Sequence, residues 1–273
     1  MIQTTHLFPV LDEKLIELLA SLGPEEWNRP TLARLWTVKD VAAHLLDGNV
    51  RGLSLARDGH QPAPDREINS YQDLVGYLNQ LSADWTRATR RLSPRVLTGL
   101  LQTTAREYAE YLATLDPHAD AIFPVAWAGE STSPNWFHVA REYTEKWHHQ
   151  QQIRDAVGRE GIMTRELFYP FIATLMRSLP HAYRHTLAPA GTTVRVVVDE
   201  GIGGDWFVVR GEDRWQLAGT PPGDVQATLM VPPGTAWQLF TKGITPGAAL
   251  ARVRTEGDEA LARVALTLVA VMA

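Results

Sequence analysis

The feature that most constrains this chain is a twenty-residue stretch, Trp136 to Asp155, without proline or glycine. Nothing in it breaks a helix, so it reads as one long helix. On a wheel turning about 100° per residue, His138, Arg141, Glu145, His149, Gln152 and Ala156 fall on one stripe. The roughly opposite side carries Val139, Ala140, Tyr143 and Trp147. Side chains at i and i+4 are neighbours on a helix surface. Trp147 can therefore be buried while Glu145 and His149 are presented together. One carboxylate and one imidazole at that spacing can share a divalent metal; the alternative is a solvated polar face.

A second helix is signalled upstream, in Leu35 to Asp47. Thr37 reads as its N-cap and Asp40, three residues on, as the acidic half of a capping box. Val38, Val41 and Leu45 form its apolar face, with His44 at the border, roughly 60° from Val41. Alone, His44 reads as a hydrogen-bonded core residue or as a ligand. Packed face to face with the long helix, it would join Glu145 and His149 in a His, Glu, His set with an open coordination position, the ligand count of a catalytic metal site.

Two segments, Trp36-Thr37-Val38-Lys39-Asp40-Val41-Ala42-Ala43-His44 and Glu145-Lys146-Trp147-His148-His149-Gln150-Gln151-Gln152-Ile153-Arg154-Asp155-Ala156, resemble the two signatures of the mycothiol-dependent maleylpyruvate isomerase family, within the DinB-like superfamily. The resemblance covers nearly the whole chain. It implies a DinB-type up-and-down four-helix bundle whose divalent metal is held by His44, Glu145 and His149. His148 precedes His149 directly. Spacing favours His149, roughly 40° from Glu145 on the wheel against roughly 60° on the other side for His148, and the Glu-x-x-x-His register of the family agrees. The motifs are more specific for the family than for the reaction.

Composition is compatible with this picture. The 273 residues are 45% hydrophobic and 21% charged, as in an ordinary globular protein. A formal net charge of -5 provides no basic footprint, so no nucleic acid is expected as a partner. No eighteen-residue apolar run and no signal-peptide pattern occurs, so no membrane partner and a cytoplasmic location are expected. The chain has no cysteine. Disulfides, thiolate ligands and a protein thiol nucleophile are thereby excluded, and any thiol chemistry must use a thiol brought from outside. Oligomeric state is left open; a homodimer is compatible.

The expected fold class is α+β in two domains, residues 1–188 and 189–273. Helices are predicted over Leu11–Leu22, Val38–Leu55, Ser70–Arg91, Pro94–Leu115, Trp136–Val157 and Thr164–Tyr183, with loops at 57–64 and 122–134. After Pro189-Ala190-Gly191 the period changes. Strands are predicted at Thr192–Val198, Asp205–Arg210 and Arg214–Leu217, read as a β-meander, with a fourth at Gln226–Val231. Short helices at Thr235–Thr241 and Pro246–Arg252 and a last helix over Asp258–Met272 follow. This tail is similar to the sterol-carrier-like α/β domain that ends many family members, and its Gly257-Asp258 step resembles the start of that domain's final helix.

Two imidazoles and a carboxylate suit Zn²⁺ first, and would also accept Ni²⁺, Fe²⁺ or Mn²⁺. The open position can hold water or the thiolate of a small thiol, and a metal lowers the pKa of either. The resemblance implies a mycothiol-like cofactor (bacillithiol or glutathione are alternatives) and a small electrophilic substrate. The thiolate would add to an activated double bond, the resulting single bond would rotate, and elimination would give the trans isomer. Related members would use the same nucleophile for conjugation or transfer. A metal-dependent hydrolase using bound water, and a non-catalytic metal or small-molecule binding protein, are the competing readings.

Around the three ligands, Arg141 and Gln152 could orient a substrate carboxylate or a ligand, His138 lies on the same stripe, and Asp47 could accept a ring N–H. Each also reads as an ordinary bundle residue. Trp36, Trp127, Trp136 and Trp147 could wall an apolar pocket or be plain core. Of the tail arginines Arg195, Arg210, Arg214, Arg252 and Arg254, any could reach the site.

Overall fold

The computed structural model describes residues 1–271. Its architecture is α+β, with a helical N-terminal region followed by a mixed sheet. Packing divides the described chain into two compact units, one of Gln3–Ile122 with Glu145–Ile162, the other of Met1–Ile2, Phe123–Thr144 and Met163–Val271.

The first unit is built from α1 (Phe8–Ala20), α2 (Val38–Gly52), α3 (Tyr71–Thr89), α4 (Pro94–Ala113) and the C-terminal part of α5 (Asn135–Val157). Polar N-caps set the starts. The side chains of Thr37, Ser70 and Ser93 accept backbone N–H groups of Asp40, Asp73 and Val96, satisfying donors that a helix start leaves open. Helix α4 packs on α1 and α2, and α3 packs on α2. The shared core joins Leu15, Leu18 and Leu19 of α1, Val38, Val41, Leu45 and Leu46 of α2, Leu97 and Leu101 of α4, and Ile153 and Val157 of α5. Helix α2 does not run regularly to Leu55. Its α-helical ladder ends at Gly52 and continues as a π-helical turn, Leu53–Arg57. The Tyr108 ring crosses Gly52 so closely that a Cβ there would lie 2.5 Å from it.

The second unit holds the N-terminal part of α5, then α6 (Arg165–Leu175), α7 (Leu179–Ala182), a five-stranded sheet, α8 (Pro233–Phe240), α9 (Pro246–Ala249) and α10 (Glu259–Val264). Packing thus groups α6 and α7 with the sheet. Tyr183 donates to the Leu261 carbonyl (2.9 Å), Trp215 to Thr186 (2.9 Å) and Arg165 to Gly203 (2.7 Å). The predicted helix over Thr164–Tyr183 is interrupted by a 3₁₀ turn, Met176–Ser178, just before Pro180, which has no N–H to continue the ladder.

The strands are β1 (Thr193–Val198), β2 (Gly204–Arg210), β3 (Trp215–Ala218), β4 (Ala227–Met230) and β5 (Arg254–Gly257), ordered β3-β2-β1-β4-β5. The expected meander is β1 to β3, paired antiparallel in sequence order. Strand β4 returns on the other side of β1 and runs parallel to it, with Val196 opposite both Trp206 and Leu229. Val194, Val196 and Val198 are fully buried, the period-two pattern of a strand with one face on a core. Strand β5 was not expected: Arg254-Thr255-Glu256-Gly257 has no apolar face and completes an edge by pairing antiparallel with β4. Gly257 has φ 73°, and a Cβ there would meet the Gln226 carbonyl oxygen at 2.2 Å, so only glycine fits. The final helix, capped by Asp258, ends at Val264 and is followed by a 3₁₀ turn, Ala265–Thr267, well short of the predicted end; Met272 lies outside the described residues. Among the described residues, no helix is long and apolar enough to cross a membrane.

Candidate metal centre

His44 stands two turns into α2, whose start is fixed by a reciprocal capping box. Thr37 Oγ1 accepts from the Asp40 N–H (3.3 Å), and Asp40 Oδ2 accepts from the Thr37 N–H (3.1 Å). Asp40 Oδ1 also accepts from Arg90 Nε at 3.3 Å, and Trp85 Nε1 donates to the Ala43 carbonyl at 2.8 Å. These bonds tie α2 to α3 and its C-terminal edge in the turn just before His44.

Helix α5 is held just as firmly where it carries the other two residues. Lys146 Nζ lies 2.7 Å from Asp12 Oδ1, with both residues buried. Arg154 donates to the carbonyls of Glu160 (2.6 Å) and Lys14 (3.0 Å). Trp147 is fully buried, so the helix cannot rotate without exposing it.

This framework brings His44, Glu145 and His149 together, one donor atom of each lying within 4.8 Å of the others. The two imidazole rings meet edge to face with centroids 4.7 Å apart. His149 Nε2 is 3.6 Å from Glu145 Oε2, too long for a hydrogen bond, while Nδ1 lies 2.9 Å from Gln152 Oε1. The Nδ1 of His44 is buried and has no hydrogen-bond partner among the described residues. The Trp36 ring covers the pair, its centroid 4.7 Å from that of His44 and 6.2 Å from that of His149. Burial pushes the pKa of both imidazoles well below the usual histidine value. The His149 ring adds to the depression at His44, as does Arg51, and the His148 ring does so at His149, where the Gln152 hydrogen bond opposes it. Neutral imidazole is the form that ligates metals. A buried ring nitrogen without a partner, two neutral imidazoles and a carboxylate are a donor set that fits a divalent cation.

The remaining predicted residues are placed differently. Gln152 does reach the site, through His149. Asp47 pairs with Arg51 at 3.6 Å, and burial raises its pKa. Arg141 bonds Glu142, and His138 Nε2 lies 3.9 Å from the same carboxylate, so these two members of the stripe share Glu142. The pKa of His138 falls to about 4, chiefly through burial. The His148 ring lies tilted against that of His149, centroids 3.9 Å apart, and it is His149 that approaches His44 and Glu145. Among the tail arginines, Arg195 pairs with Asp205 and Arg252 with Gln238. The Asp12–Lys146 pair had no place in the sequence reading. Its signal was an acidic residue set among Leu11 and Leu15 on the core face of α1.

Residues 8–154 match the family model of the mycothiol maleylpyruvate isomerase N-terminal domain, more than half of the chain. The chain belongs to this family. All three clustered residues of this maleylpyruvate isomerase family member lie inside the matched span. Two solved structures share the fold at 13% sequence identity. One is a histidine-to-alanine mutant of mycothiol-dependent maleylpyruvate isomerase, with TM-score 0.53, covering 92% of this chain and 91% of that one. The other is mycothiol-dependent maleylpyruvate isomerase itself, with TM-score 0.50 and 86% of each chain covered. No curated protein matches the chain.

Proposed function

We propose that the protein is a divalent-metal-dependent enzyme that uses an external low-molecular-weight thiol, of the mycothiol kind, to isomerise or conjugate a small electrophilic substrate. The observation that supports this most is the convergence of His44, Glu145 and His149, whose donor atoms lie within 4.8 Å of one another. These three residues would hold the metal, with zinc the first choice for two nitrogens and one oxygen. A divalent cation there supplies a Lewis acid that lowers the pKa of a bound thiol or water. The chain contributes the rest of the arrangement. His44 and His149 stay neutral through burial, Gln152 bonds the far nitrogen of His149, and Trp36 covers one side of both rings. Absence of cysteine makes an external thiol the only thiol nucleophile.

Elemental analysis of protein purified without chelator or metal-binding tag tests the reading, beside His149→Ala checked by circular dichroism. About one equivalent of metal in the wild type, lost in the folded variant, is expected, together with turnover that disappears when small thiols are withdrawn. No metal in either protein after incubation with Zn²⁺ would overturn it. Turnover of a loaded enzyme that is indifferent to thiol would favour a hydrolase.

A further inference from the structure

We infer that Gln152 is a positioning residue that sets the tautomer of His149, placing the ring proton on Nδ1 and the lone pair on Nε2, toward Glu145 and His44. The use of that lone pair rests on the metal reading above, whereas the tautomer is a property of the polypeptide alone.

Gln152 Oε1 lies 2.9 Å from His149 Nδ1. An amide oxygen has no proton to give, so the ring nitrogen must be the donor. Gln152 is 5% exposed and His149 7%, so bulk water does not compete for this bond. The two residues stand three apart on one helix, where neighbouring side chains face each other, and the backbone of α5 therefore fixes their separation. A rotated amide would present N–H to Nδ1 and move the ring proton to Nε2. That proton would then point toward the Glu145 carboxylate, 3.6 Å away, and a small side-chain shift would close an imidazole–carboxylate hydrogen bond that occupies both donor atoms. The orientation of one amide thus decides whether Nε2 and Glu145 are available to a third party or consumed by each other. A neutral amide also does this without a second negative charge beside Glu145.

The test uses full-length metal-free protein labelled with ¹⁵N-histidine, in which long-range ¹H–¹⁵N correlations report the tautomer of each ring. Wild-type His149 is expected as the Nδ1–H form. Gln152→Leu should shift it toward Nε2–H, and Gln152→Glu, which keeps an acceptor, should restore Nδ1–H. Zn²⁺ affinity, read by competition with a chromophoric chelator, should fall about 10–100-fold in Gln152→Leu, the usual effect of removing an outer-shell partner, and recover in Gln152→Glu. An Nε2–H ring in the wild type, or an unchanged Nδ1–H ring in folded Gln152→Leu, overturns the assignment. If the leucine variant does not fold, the wild-type spectrum still decides. Wild-type protein that is Nδ1–H yet binds no Zn²⁺ would leave the role of Gln152 standing and overturn the metal reading instead.

Discussion

Lys146 Nζ reaches across 134 residues of sequence to within 2.7 Å of Asp12 Oδ1, joining α5 to α1 one residue from Glu145. Both partners are buried, and burial raises the Asp12 pKa although Lys146 pulls it down. Removing one member of a buried pair strands the other charge, at about 3–5 kcal/mol, whereas replacing both by apolar residues is often neutral or stabilising. Asp12→Ala should therefore lower the unfolding free energy by about 3–5 kcal/mol, and Asp12→Leu with Lys146→Met should restore most of it. Urea denaturation of the three proteins checks this; additive losses in the double variant would refute it.

The capping box of α2 makes a smaller, local prediction. Thr37→Ala removes the acceptor for the Asp40 N–H and should destabilise the fold by about 1 kcal/mol, while Thr37→Ser should stay within a few tenths. Asp40 also accepts from Arg90, so Asp40→Ala should cost more than Thr37→Ala. Chemical denaturation midpoints give the ranking, and the reverse order would show that the Arg90 contact contributes nothing.

Much of this architecture was legible because its signals are local. Pro134 and Gly158 bracket α5, and Thr37, Ser70 and Ser93 mark three helix starts, each by a bond spanning three residues. Glu145 and His149 are neighbours by helical spacing alone. Bringing His44 to them requires a packing of helices that periodicity permits without encoding it, and that the family resemblance implies. Long-range features left weaker traces. The parallel pairing of β4 with β1 is invisible because alternation specifies a face and says nothing of partner or direction. Strand β5 has no apolar residue to announce it. His138 and Arg141 share the stripe of Glu145, yet both turn to Glu142, their neighbour by four and by one residue.

His138 allows a prediction about pH. Its folded pKa is lowered to about 4, from an ordinary value of 6.5, mainly by burial. Between these values the unfolded chain binds a proton that the folded chain refuses, so stability rises with pH across the window and is lost as pH falls below 6.5. One such group should weaken the fold by about 2 kcal/mol between pH 7.5 and pH 5. His44 and His149, also lowered, act in the same direction. Metal-free wild type should lose stability over that range, and His138→Gln should lose less. Urea titrations at four pH values measure both slopes; equal slopes would mean that His138 is protonated in the fold.

Ligand linkage provides a test of the three-residue cluster that does not depend on turnover. A ion that binds only the folded state stabilises it by RT ln(1 + [L]/Kd), about 2.7 kcal/mol at a hundredfold excess over Kd. Wild-type protein should gain about that much when Zn²⁺ is raised from none to a hundred times its Kd. Glu145→Gln keeps the size of the side chain and removes its charge, so the variant should fold but gain far less at the same Zn²⁺ concentration. His44→Ala should behave likewise, because it removes a donor from the other helix of the cluster. Lys39, on the same helix as His44 but bonded to the Arg90 carbonyl, is the control: Lys39→Ala should show the full wild-type gain. Equal stabilisation of wild type and Glu145→Gln would place Zn²⁺ elsewhere on the molecule and remove the physical basis for the enzyme reading.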